Sequence, residues 1–453
     1  GLNAAVQSIS WHINIPVEDG MKPVVVFNPN SFPGKFEVEM ESPNLKENQI
    51  LVDEEGKQIP LQQVQPLASS NGRTRLVFIA DLPAMGYRTY RLVIRETAHA
   101  FPYVESTDTT AENRWFKIAF DEKTGYISSL YKKNDGTEYF SGPAVIEDRS
   151  DTWSHAVRIF DKVKGCFSGI SVKRVENGPV KCVIRVTSTY GSSRMFQDFS
   201  IYRELDFIRV KTTVDWHEKW SMLKLRFPMQ LNYLRATWEI PYGTACREPN
   251  GEEFPMQNFL DVEGANPGLT TAVNGLSFLN DGKSSGSIAG KEVSLTVLRS
   301  PIYANHEPYE PDENLEYVYI DQGVQTFTYA LYPHDGSWEN SHTVRRSREI
   351  NEKPIALFET YHKGELPQSA SFLDISAENV LLTVMKEAED GSGDVILRLV
   401  ETAGRGCETQ LKLPGLHREA ALTFTPFEIK TVRIPVPENM EIQENNLLED
   451  AMK

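Results

Sequence analysis

Between Ile208 and Trp216 the chain alternates with period two: Ile208, Val210, Thr212, Val214 and Trp216 are apolar or β-branched, and Arg209, Lys211, Thr213 and Asp215 stand between them. Successive side chains of an extended strand point to opposite faces, so this pattern buries one set and leaves the other to solvent. Cys182, Ile184, Val186 and Ser188 alternate in the same way against Lys181, Arg185 and Thr187. Further strand-like runs are Val24–Phe27, Leu76–Ala80, Tyr87–Ile94, Val293–Leu298, Phe327–Tyr332, Val380–Met385, Val395–Val400 and Phe427–Ile434. Turn pairs punctuate them: Asn71-Gly72, Asn134-Asp135-Gly136, Asn250-Gly251, Asp335-Gly336 and Asp390-Gly391. Long amphipathic helices are nearly absent, and Leu2, Val6 and Ile9 have the spacing of the end of one. Many short strands without strand–helix alternation predict an all-β protein built of antiparallel β-sandwich domains.

A chain of 453 residues is too long for one ordinary domain, and about two to four are expected. Two polar stretches read as linkers, one from Glu96 to Glu112 and one from His342 to Lys353, which contains Arg345, Arg346 and Arg348. The expected organisation is a helical end over residues 1–10, a small β domain over 11–96 and a large central domain over 97–345, too big for one simple sandwich. A carboxyl-terminal β domain over 346–437 and an acidic tail over 438–453 complete it.

Lys plus Arg number 47 and Asp plus Glu 63, a net charge of −16. Such a surface repels phosphate backbones and anionic headgroups, so nucleic acid and membrane are poor partners. No stretch is apolar for the length a bilayer requires. Cys166, Cys182, Cys246 and Cys407 include no Cys-x-x-Cys, which argues against a cysteine-rich zinc site and for buried free thiols. The absence of any Asn-x-Ser/Thr sequon favours a cytoplasmic location.

A self-sufficient active site is hard to find. His217-Glu218 and His306-Glu307 lack the second His of a His-Glu-x-x-His helix, and no His-x-Asp occurs. Gly282-Lys283-Ser284-Ser285-Gly286 has the spacing of a nucleophile elbow, but that motif needs a strand before it and a helix after it. A hairpin loop is expected here instead. Three irregular segments crowd polar and aromatic groups together: Glu147 to His155, Arg247 to Glu253, and Arg299 through Tyr303, Asn305 and His306. Loops on a rigid β scaffold are where ligands are handled, although solvated turns have the same composition.

At these segments the sequence resembles the carboxyl-terminal region of glycoside hydrolase family 38, the zinc-dependent α-mannosidases. Val24 to Pro29 resembles the entry into the family's first β domain, and Phe116–Phe120 with Gly125–Leu130 the opening of its large sandwich. Val214-Asp-Trp-His-Glu218 with Leu223–Pro228, Ala236–Gly243 with Arg247, Asn250 and Glu252, Leu276–Asp281, Leu298–Pro301, Phe327–His334 and Phe427–Thr431 follow in the family's order.

The resemblance implies a central supersandwich of the galactose-mutarotase type. It also implies a function: this chain would supply scaffold, oligomer contacts and part of the substrate rim of an enzyme that removes terminal α-linked mannose. Its partners would be α-mannoside glycans and an amino-terminal catalytic barrel of the same enzyme, with self-association into a homo-oligomer a further expectation. The family's zinc-binding His-x-Asp has no counterpart here, so no catalytic residue and no metal ligand can be assigned. Zinc is expected in the catalytic domain, which is expected to be missing from this chain. By segment position Asp151, Trp153 and Arg299 are the rim candidates. Arg299 could instead pair with an acidic residue inside the sandwich; as a rim residue its loss should lower turnover and leave melting nearly unchanged. Two other readings stay open, an independent carbohydrate-binding module and a mutarotase-type sugar enzyme.

Overall fold

The computed structural model describes residues 2–451 except 19, 44, 46–47, 67–72, 96–98, 266–272, 305–311, 313 and 438. About 57% of the chain is strand and 6% helix, in antiparallel sheets. By compactness it forms two units, one of residues 102–351 and one that joins residues 1–101 to 352–453.

Among the described residues the larger unit holds three sheets. A nine-stranded sheet begins with the meander Ser168–Asn177, Lys181–Tyr190, Ser193–Tyr202 and Ile208–Trp216 and continues into Gly323–Asp335. Ile208–Trp216 behaves as its alternation requires: Ile208, Val210, Thr212, Val214 and Trp216 are all buried, and the residues between them are not. A six-stranded sheet contains Gly142–Glu147, Ser221–Pro228 and Glu292–Ser300 as consecutive neighbours. The two sheets share one core, in which Trp216, Trp238, Phe199, Phe278 and Tyr329 meet Leu223, Phe227 and Leu295. Each buried aromatic ring of this kind removes about 150–250 Å² from water, which makes such residues the main apolar contributors to a sandwich core. Trp216 Nε1 donates to Ser300 Oγ at 2.9 Å, which satisfies a buried donor across the two sheets. A five-stranded sheet over residues 105–139 completes this unit.

In the other unit the strand Lys22–Asn28 pairs on one side with Gly86–Ile94 and on the other with Ile355–Phe358. Residues from both ends of the chain therefore share one sheet, where separate domains over 11–96 and 346–437 were expected. Helix Leu2–Ser10 packs Val6 and Ile9 against Ile13, Ile15 and Val25. The acidic tail adds a short strand, Gln443–Asn445, to Ile429–Ile434.

Three local expectations fail for physical reasons. The arginine-rich run is not a linker but the helix Thr343–Asn351. Its Ser347 and Ile350 are buried, and Arg346 pairs with Glu349 one turn on and with Asp206 at 2.9 Å. Gly282–Gly286 is not a hairpin loop, because it carries the chain from Val273–Asn280 in the nine-stranded sheet to Ser285–Ala289 in the six-stranded one. Asn280 Oδ1 fixes this crossover by accepting from the backbone of Gly282 and Lys283, and a strand rather than a helix follows. Of the four free thiols only Cys182 is buried; Cys166 and Cys246 are exposed because their strands, Val163–Cys166 and Gly243–Cys246, are sheet edges.

Candidate functional site

The sequence candidates converge where Glu292–Ser300 ends. Arg299 lies on the face of this strand opposite the core, since Val293, Leu295, Val297 and Leu298 join the core cluster. Its Nε donates to Asp148 Oδ2 at 2.8 Å, and its Nη2 donates to Ser150 Oγ at 2.8 Å and to the Asp151 carbonyl at 3.4 Å. Its guanidinium lies 4.9 Å from the centre of the Phe160 ring. One planar fork thus binds three successive parts of one loop while an aromatic face backs it, a geometry that lysine cannot reproduce. Asp148 is fully buried, and the Ser150 hydroxyl and backbone N–H also donate to its Oδ1, at 2.5 and 3.2 Å. The Asp148 carboxylate is thereby satisfied and closed to solvent.

The loop held this way runs from Asp148 across the outer face of the six-stranded sheet. Ile302 meets Asp151 in a parallel bridge, and its carbonyl accepts from Thr152 N at 3.1 Å. Asp151 is 1% exposed and its Oδ1 accepts from Trp153 N at 2.8 Å, so it caps the turn on which Trp153 stands. Trp153 itself is 67% exposed. Farther on, Phe160 packs with Ala144, Ile146 and Met222, and the Arg158 carbonyl accepts from Glu253 N. At the loop's base Lys162, at 2.5 Å, and Arg149 hold the Glu147 carboxyl below the usual carboxylate range.

Strain gathers at the same place. Ser154, Ala156, Trp220 and Asp321 all have φ between 50° and 66°, although none is glycine. Such residues persist only where their surroundings fix them, and they collect at functional sites. Two of them contact the clamp: the Trp220 carbonyl accepts from Asp148 N, and Asp321 Oδ2 accepts from Arg299 N at 3.1 Å. Trp220 also meets Tyr317 and Tyr319 edge-on, with centroids 6.0 and 5.6 Å away. Tyr303, beside Ile302, is exposed. Aromatic side chains therefore surround the end of this strand at several depths.

The structure brings Asp151, Trp153 and Arg299 together, but with unequal exposure. Trp153 faces solvent, whereas Arg299 and Asp151 support it. Asp148, Ser150 and Phe160 were not singled out by sequence reasoning. Asp-x-Ser at 148–150 is a turn signal, but nothing in sequence ties it to an arginine 151 residues away. The second loop is structural: Arg247 stacks 4.3 Å from Phe254, and Asn250 Oδ1 accepts from Glu252 N. Behind it, buried Lys224 pairs with Glu253 at 2.6 Å and donates to Ser287 Oγ. Asn305 and His306 lie outside the described residues. Among the described residues no three His, Cys, Asp or Glu side chains come together as metal ligands, so zinc fits no set of groups found here.

Residues 111–313 match the family model of the glycosyl hydrolases family 38 C-terminal domain. It is 23% identical over 415 residues to Alpha-mannosidase G of Dictyostelium discoideum, covering 84% of this chain and 35% of that protein. It is 29% identical over 237 residues to human Alpha-mannosidase 2C1, covering 51% of this chain and 21% of that one. The crystal structure of an α-mannosidase from Enterococcus faecalis V583 superposes with a TM-score of 0.75 at 15% identity, over 95% of this chain and 58% of that one, a likeness of fold. The chain thus spans about a third of the length of the first of these relatives.

Proposed function

We infer that this chain is the β region of an α-mannosidase, in which it provides scaffold and lends the Trp153 loop to the rim of the sugar site. Hydrolysis of terminal α-linked mannose falls to an amino-terminal catalytic barrel of the same enzyme, and zinc belongs to that barrel. The observation that carries the reading is an exposed Trp153 on a loop held rigid by a buried ion pair. A hexose ring has an apolar C–H face that stacks on an indole, and a platform already fixed loses little entropy when sugar arrives. The acids beside it cannot serve as nucleophile or general acid, because Asp148 and Asp151 are buried and engaged in holding the loop.

The test compares two purified proteins on an aryl α-mannoside with zinc supplied. The whole enzyme is expected to turn over with a dependence on zinc, and residues 1–453 alone to release no mannose. Zinc-dependent turnover by residues 1–453 would overturn the assignment.

A further inference from the structure

A second feature lies in the larger unit and is built from other strands. It is a cavity of about 570 Å³ between the turn before Phe116–Phe120, the end of Ile127–Lys132 and the end of Gly323–Asp335. Its most unusual wall is Arg114. This side chain is exposed, and its guanidinium lies 3.9 Å over the Trp115 ring. The turn that carries both residues is rigid: buried Asn113 accepts from Trp115 N and Phe116 N through Oδ1 and donates to the Tyr202 carbonyl through Nδ2. The other charges of the cavity are matched. Lys132 pairs with Asp135 at 2.9 Å and with Asp335, Lys133 pairs with Glu112, and Asp206 pairs with Arg346 at 2.9 Å. Among the described residues no carboxylate lies within ion-pair range of Arg114, which rests on the Trp115 ring. Asn134, Asn340 and Ser341 add short polar side chains round the same space.

A fixed, stacked guanidinium without a counter-charge is a site for an anionic group, because its planar fork presents parallel donors to carboxylate or phosphate oxygens. The nitrogens of Asn134 and Asn340 donate to Asp335 and to Ser337, so it is their amide oxygens that can accept from a ligand's hydroxyl groups, and the volume suits a molecule of one or two sugar rings. We propose that this cavity binds an anionic sugar, a sugar acid or a sugar phosphate, with its charged group on Arg114 and its hydroxyls on the Asn134 and Asn340 side. Nothing in this assignment depends on the mannosidase reading, since it rests on the charge balance of the cavity.

Calorimetric titration of the protein with glucuronate and with glucose 6-phosphate tests it, with methyl α-mannoside and inorganic phosphate as comparison ligands. At least one anionic sugar is expected to saturate with a Kd near 1 mM, the scale of a small polar site. Arg114→Ala should weaken it at least about tenfold with unchanged melting, and Arg114→Lys, which keeps the charge and loses the fork, should fall between. Asn340→Ala, at a second exposed position, should weaken the anionic sugar and leave inorganic phosphate unaffected. The proposal is overturned if neither anionic sugar saturates by about 20 mM. It is equally overturned if Arg114→Ala binds like the parent, if methyl α-mannoside binds as tightly, or if inorganic phosphate alone matches the sugar phosphate.

Discussion

Two ion pairs of the larger unit have the same length and hold different things. His334 Nε2 lies 2.8 Å from Asp261, and Arg299 Nε lies 2.8 Å from Asp148; both aspartates are fully buried. His334 is 1% exposed, and its neighbours come from adjacent strands of the nine-stranded sheet. Ser277 Oγ donates to Asp261 at 2.6 Å, and the imidazole lies so close to Gly275 that a Cβ there would meet it at 2.3 Å, so only glycine fits. Arg299 is 20% exposed, and its side-chain partners Asp148, Ser150 and the Asp151 carbonyl belong to one loop. The first pair ties strand to strand. The second ties a loop to a strand and so decides where Trp153 stands. A buried carboxylate needs a partner in either place, but only at the sheet's end does its partner also fix an exposed ring.

The largest effect should follow from breaking the interior pair. His334→Ala leaves the Asp261 carboxylate buried without its cation, and urea unfolding should show a loss of about 3–5 kcal/mol. A smaller loss, comparable to that at Arg299, would erase the distinction between the two pairs. The same pair sets a pH dependence. Burial opposes the charge on His334, but the nearby Asp261 outweighs it and raises the imidazole pKa above its ordinary value of 6.5. A folded pKa above the unfolded one means that the native state holds the proton more tightly. The contribution is therefore complete below about pH 6.5 and is lost as pH rises through the raised value. Melting temperature should decline over that interval in the parent and stay flatter in His334→Gln; parallel profiles would remove the charged pair from the account.

Arg299→Ala should cost less, about 1–3 kcal/mol, because Arg299 is itself partly exposed and Asp148 keeps two bonds from Ser150 where Asp261 keeps one from Ser277. Here the structure alters the sequence expectation, under which melting was to stay nearly unchanged. Arg299→Lys should recover only part of the loss, since one ammonium cannot bind Asp148, Ser150 and the Asp151 carbonyl in one plane. Full recovery in denaturant titrations would mean that charge alone holds the loop.

What could be read from sequence follows from the range of each interaction. Alternation over Ile208–Trp216 is local, and burial of its members follows it residue by residue. The pairing of Lys22–Asn28 with Ile355–Phe358 joins segments more than three hundred residues apart, and no periodicity records it. The helix Thr343–Asn351 was hidden because its polar Thr343, Ser347 and Glu349 are buried beside Ile350, which leaves no apolar stripe to recognise. The site was legible in the same uneven way. Resemblance pointed to Asp151, Trp153 and Arg299, but only the fold separates the exposed ring from the two residues that support it.

The smallest effect on stability should come from Trp153→Ala, within about 0.5 kcal/mol, because its side chain is largely in solvent. For that reason it gives the most direct test of the central claim. In the whole enzyme, kcat and KM on a mannose disaccharide should be measured for Trp153→Ala beside the parent, with melting recorded on the same samples. The account predicts unchanged melting and kcat/KM lowered by about 1 kcal/mol or more, chiefly through KM, as expected for a lost stacking surface. Unchanged kcat/KM in a normally folded variant would contradict the claim that this loop borders the sugar site.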